Sequence, residues 1–183
     1  MRYFIDTEFN DNVDPVGLIS VGVVANDGRE FYAINDKYSK GSPDSKTCND
    51  WVKINVLPHL DDAEVLADIA LNSNGCNYVV GSLNDIRDSL QDFVGNDPFP
   101  EFWAYYGHYD WFLVTRLWKS FMYLPKRWPT ACFDIHQYNK HYGLSRSLPK
   151  KLVPEHHALV DARWAKLAFQ YVTENAARER KWP

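Results

Sequence analysis

The chain has 183 residues, of which 45% are hydrophobic and 24% charged, and its 20 Lys/Arg against 24 Asp/Glu leave a formal charge of −4. That balance excludes disordered and fibrous classes and suits one domain over residues 1–183. No apolar run has the length of a membrane span, the start from Met1 to Asp6 carries a charge too early for the apolar stretch of a signal peptide, and Cys48, Cys76 and Cys132 are too scattered for a disulfide framework or a zinc site, so a cytoplasmic protein with no membrane partner is expected.

In chain order, residues 2–6 form a short apolar strand and residues 17–25 a β-branched second one. Asn26-Asp27-Gly28 signals a tight hairpin, because Asp-Gly tolerates the positive φ angles of such turns, and residues 29–34 return as an antiparallel third strand. Polar residues 35–50 read as a loop. Ile86, Leu90, Phe93 and Val94 recur at i, i+4, i+7 and i+8 behind Ser82 as N-cap, which predicts a helix that Gly95-Asn96-Asp97-Pro98 stops. Residues 102–106 are a fourth strand. Val114, Leu117, Trp118 and Phe121 mark another amphipathic helix, bounded by Pro125. A short strand near 130–133 leads into a helix that Gly143 ends. The last helix shows Ala158, Ala162, Ala165, Phe169 and Val172 on one face. The order predicts an α/β fold: a mixed five-stranded sheet with helices packed on its faces.

Asp6-Thr7-Glu8 closes the first strand, and side chains two apart on a strand share a face. Two carboxylates on one face of a buried strand repel and lose hydration, so they call for a shared proton or a cation. Hard oxygen donors of this kind suit Mg²⁺ or Mn²⁺. Asp62-Ala63-Glu64 has the same spacing but lies in a polar stretch that starts a helix, where a solvated surface is expected. Asp161 borders the apolar face of the last helix, so it is either capped by a core donor or drawn into a site. His156, five residues earlier, can act as a base near neutral pH; helix capping is expected of its neighbour His157. Asp110, read alone, is equally well an ordinary helix N-cap.

Charge is unevenly spread. Residues 1–115 hold 7 Lys/Arg against 19 Asp/Glu, whereas residues 116–151 hold 8 Lys/Arg against Asp134 alone. A basic segment in an acidic protein fits either a phosphodiester partner or a solvated surface.

Asp6-Thr7-Glu8, Tyr109-Asp110 and His156 through Asp161, in this order and context, resemble the three motifs of the DEDDh family of 3′-to-5′ exonucleases, which have a ribonuclease-H-like fold. Met1 through Phe9 and His157 through Arg163 look most like a small exoribonuclease branch of actinobacteria and phages. Tyr105 and Tyr106 stand where many members carry an Asn. The resemblance implies a metal-dependent 3′-to-5′ exoribonuclease that releases nucleoside 5′-monophosphates. Asp6, Glu8 and Asp161 would hold one ion, Asp6 would bridge to a second supported by Asp110 through water, and His156 would take a proton from the attacking water. Two Mg²⁺ or Mn²⁺ ions roughly 4 Å apart can activate that water and stabilise the leaving oxygen. Thr7 and Phe9 would meet the terminal nucleotide, with Phe9 either stacking on its base or belonging to the core. Lys126, Arg127, Lys150 and Lys151 would track the RNA backbone. Homodimers are common among similar enzymes, although no residue here specifies one.

Three rivals stay open on the sequence. One is a single-strand DNA exonuclease of the same fold, since a few contacts to the 2′-hydroxyl decide RNA against DNA. Another is a non-catalytic nucleic-acid-binding module. The third is an aspartyl phosphatase, which also begins with an apolar strand ending in Asp but needs a second Asp where Glu8 stands.

Overall fold

A computed structural model describes residues 1–72, 74–142 and 148–179. The strands are β1 (Arg2–Asn10), β2 (Gly17–Ala25) and β3 (Glu30–Asn35). Two short helices follow, α1 (Asp50–Asn55) and α2 (Ala63–Leu71), and then β4 (Cys76–Gly81) and α3 (Leu83–Val94). The second half runs through β5 (Glu101–Ala104), α4 (His108–Arg116), β6 (Phe133–Asp134), α5 (Ile135–His141) and the long α6 (Ala158–Glu179). The sheet order is β4-β3-β2-β1-β5-β6. β1, β2 and β3 form an antiparallel meander, and β4, β5 and β6 join it in parallel.

Alternation along β1 assigns the layers. Tyr3 and Ile5 face Phe93, Leu90 and Ile86 of α3 and Val114 of α4. Phe4 faces the other way, onto Phe169 of α6 with ring centroids 5.3 Å apart. The alanine face expected on the last helix is buried, and Ala158 and Ala162 pack with Ile19, Val24 and Tyr32 of the sheet. Helices thus cover both faces, as expected of an α/β fold.

The sheet has six strands rather than five. The additional β4 is an edge strand with exposed Tyr78 and Val80, so its short Tyr-Val-Val run lacks the apolar signature of a buried strand. The loop expected over 35–50 contains short 3₁₀ turns at Asp36–Tyr38 and Asp44–Thr47. The helix read from Val114 to Phe121 is displaced towards the N-terminus: α4 ends at Arg116, Lys119 takes φ 66°, and Phe121 is exposed in a 3₁₀ turn. Leu117 and Trp118 continue the helical spacing because the turn packs them on the same core. Gly143, expected to end α5, lies outside the described residues, as does Arg146 of the basic segment.

Candidate active site

β1 runs four residues further than its apolar start suggested, and this extension carries the carboxylates. Asp6 pairs opposite Gly22 and Glu8 opposite Ser20, so the two share the α6 face that Phe4 begins. Gly22 is what lets α6 come close. A Cβ at that position would lie 2.4 Å from the backbone of Ala158 and Leu159, so any other residue would push the start of α6 off the sheet. With α6 seated there, Asp161 in its first turn meets Glu8. The helix dipole also favours a carboxylate in that turn.

Asp161 is buried and well supplied with donors. Its Oδ2 accepts the His156 backbone N–H at 2.9 Å, and its Oδ1 accepts Lys151 Nζ at 2.5 Å. The first bond fastens His156 beside the helix in a left-handed conformation, φ 61°, which histidine adopts more readily than most residues. Glu8, His156 and Asp161 each bring a potential ligand atom within 4.8 Å of the others. Asp110 arrives from the opposite side, on the first turn of α4. The Thr7 N–H and Oγ1 both donate to its Oδ1 at 2.7 Å. Thr7 is buried, and its N–H and hydroxyl both serve to hold Asp110.

The electrostatics follow from this convergence. Burial, then the neighbouring Asp110, Glu8 and Asp161, push the Asp6 carboxyl well above the usual range. Burial, then Asp161 and Asp110, raise Glu8 to about 8. Burial raises Asp110 to about 6 against the opposing hydrogen bonds from Thr7. Carboxylates this deep are stable as anions only beside positive charge. Asp6, Glu8, Asp110 and Asp161 are therefore a fitting donor set for a hard divalent cation.

Asp6, Thr7, Glu8, Phe9, Asp110, Lys151, His156 and Asp161 line one open cavity of about 530 Å³. Phe9 is half-buried on its wall and stacks on Tyr109 with ring centroids 5.1 Å apart. Trp51 also lines the cavity, 53% exposed, its ring edge-on to His156 at 4.7 Å. Trp51 escaped the sequence reading because residues 35–50 read as loop up to its threshold. The available signal was Asn49, which caps α1 by accepting the Val52 N–H and also donates to Asp11 on the cavity rim.

Other expected residues lie elsewhere. Lys126 is exposed and does not line the cavity. The Arg127 guanidinium reaches the Asn96 carbonyl, beside Asp97, which pairs with the N-terminus at the far end of β1 from the carboxylates. Lys150 opens on a neighbouring groove with Val153 and Val160. Among the described residues of the basic segment, Arg127 and Lys151 therefore stand at opposite ends of β1. His157 does not cap α6 with its ring. It is fully buried against Tyr32 at 4.4 Å, neither ring nitrogen has a partner among the described residues, and only its backbone carbonyl accepts the Asp161 N–H. Among the described residues no helix is long and apolar enough to cross a membrane.

Comparison with known proteins gives one consistent result. The profile of the family described as "3'-5' exoribonuclease Rv2179c-like domain" matches residues 1–173. The chain is 34% identical over 176 residues to 3'-5' exoribonuclease Rv2179c of Mycobacterium tuberculosis strain ATCC 25618 / H37Rv, covering 94% of each chain. It is similar to the same extent to 3'-5' exoribonuclease MT2234.1 of strain CDC 1551 / Oshkosh.

Proposed function

Because the chain belongs to the Rv2179c-like 3′-5′ exoribonuclease family, we propose that it shortens RNA from the 3′ end, hydrolysing one phosphodiester bond at a time and releasing nucleoside 5′-monophosphates. The observation that carries this reading is the convergence of Asp6, Glu8, Asp110, Asp161 and His156 on one cavity.

Asp6, Glu8 and Asp161 would hold one Mg²⁺ or Mn²⁺ ion, and Asp6 with Asp110 a second. When bound, such ions supply charge stabilisation at the scissile phosphate and lower the pKa of water. His156 takes the proton of the attacking water; its backbone bond to Asp161 fixes where that imidazole stands. Thr7 orients Asp110 through two hydrogen bonds. Phe9 on Tyr109 forms a ring wall, and Trp51 offers another exposed ring lining the same cavity. Nucleobases stack on such rings whatever their identity, so these residues seat the terminal nucleotide without selecting its base.

The test is incubation of 5′-labelled and 3′-labelled single strands of RNA and DNA with Mg²⁺ or Mn²⁺, resolved as ladders. The expected result is a 5′-labelled RNA ladder that shortens stepwise from the 3′ end, with the 3′ label released first as a mononucleotide, and no cleavage in excess chelator. Faster cutting of DNA would replace the ribonuclease reading with the deoxyribonuclease one. Full activity in chelator would overturn the metal-dependent mechanism.

A further inference from the structure

Among the described residues the cavity wall holds a single Lys or Arg, and its ammonium is paired with a carboxylate. Lys151 lies on the segment leading into α6, where the Trp164 indole donates to the Pro149 carbonyl at 3.0 Å and so staples the segment to the helix. From there the ammonium reaches Asp161 Oδ1 at 2.5 Å and sits 4.0 Å from the centre of the Trp164 ring. Tyr105 presents a second ring 6.0 Å away. The Lys151 charge also opposes the upward shifts of Asp6 and Glu8, so its field reaches past Asp161 to the carboxylates of β1.

We infer that Lys151 is a built-in counter-cation of the carboxylate cluster, which occupies Asp161 in the metal-free protein and competes with the divalent ion for it. This rests on the reading of the cluster as a metal centre. Two observations distinguish Lys151 from a lysine that merely tracks phosphates. Its ammonium already neutralises one of the proposed ligands. In addition, the Trp164 face gives it a seat that survives the loss of Asp161, since an ammonium over an indole is held by the ring quadrupole. The metal can therefore take the carboxylate while the lysine stays in the cavity wall. Its charge then lowers metal affinity and, in exchange, keeps the empty cluster from repelling itself apart.

The experiment is calorimetric titration of the metal-free full-length protein with Mn²⁺, in wild type, Lys151→Met and Lys151→Arg, with melting curves in chelator. Lys151→Met is expected to bind Mn²⁺ more tightly, by roughly the 5- to 150-fold that separates coupled sites, and to melt lower in chelator. Lys151→Arg is expected to stay near wild type in both. Where Lys151→Met fails to fold without metal, Lys151→Gln, whose amide can still donate to Asp161, gives the same reading. Wild type that binds Mn²⁺ while the neutral variants bind it equally or more weakly overturns the role of Lys151 and leaves the metal centre intact. Wild type that binds no Mn²⁺ overturns the metal centre itself, and this inference with it.

Discussion

Two buried glutamates of the same sheet have opposite surroundings. Glu8 on β1 is 8% exposed and Glu30 on β3 is 7% exposed, and both face the same helix. Glu30 meets Arg163 of α6, whose Nε and one terminal nitrogen each donate to it at 2.7 Å, while the other terminal nitrogen reaches Asp68. Glu8 meets Asp161, only two residues earlier on that helix, and no Lys or Arg pairs with it among the described residues. A buried carboxylate closed by a bidentate guanidinium is finished structure. One faced by further carboxylates opposes folding to the extent that cations do not share its charge. Burial is equal in the two places, so the partner alone separates them.

The sharpest way to break this contrast is to neutralise each glutamate in place. Glu30→Gln leaves the Arg163 guanidinium with a neutral amide and the exposed Asp68 in place of its bidentate carboxylate, and the protein is expected to lose about 1.5–3 kcal/mol of stability. Glu8→Gln is expected to do the opposite in chelator, melting higher than wild type because repulsion and lost hydration are relieved. Its turnover should fall by more than about 10³-fold, since ions held at the site supply several kcal/mol of transition-state stabilisation. Melting curves in chelator beside a single-strand RNA assay read both effects. If Glu8→Gln melts lower than wild type, protein donors hold that carboxylate and the contrast fails.

A second contrast lies between adjacent histidines. His156→Ala is expected to lower kcat by about 10²–10⁴-fold with little change in substrate affinity, as removal of a general base does. Single-turnover kinetics check it, and a larger kcat loss in His157→Leu would assign the base to the wrong residue.

His157 should instead shape stability against pH. Burial lowers its folded pKa to about 4 from an ordinary 6.5. Between those values the unfolded chain binds the proton and the native protein does not, so stability is present above 6.5 and drains away as pH falls towards 4. The loss amounts to about 3 kcal/mol, and His157→Leu should abolish it. Glu8 runs the other way: with its folded pKa near 8, metal-free stability falls as pH climbs from about 4.5 through 8. The two oppose each other between pH 4.5 and 6.5, so denaturant titrations of wild type and His157→Leu at pH 4.5, 6.5 and 8.5 separate them by difference.

The smallest expected effect is that of Thr7→Val, which removes one of the two bonds orienting Asp110 and keeps the backbone one. Loss of such a supporting partner costs about 10–100-fold in activity or metal affinity. Activity indistinguishable from wild type would mean that the backbone N–H alone suffices.

Much of this molecule was legible along the chain. The β1–β2–β3 meander, α3 with its Ser82 cap and the alanine face of α6 all follow from local periodicity and turn chemistry. The same-face placement of Asp6 and Glu8 is a property of any strand. What local pattern does not encode is which element packs on which. The Gly22 gap that seats α6 against β1, the approach of Asp110 from α4 to Thr7, and the edge strand β4 exist only through pairing of distant segments. The same reason divides the basic residues. Lys126, Arg127, Lys150 and Lys151 are alike by type and position in the chain, yet the path of the backbone sends Arg127 to the far end of β1 and Lys151 onto Asp161. Residue type and spacing determined the chemistry available to this protein, because carboxylates and histidine carry it wherever they stand. Tertiary structure decided which charges meet, because Coulomb energy depends on distance and burial through space and not on separation along the chain.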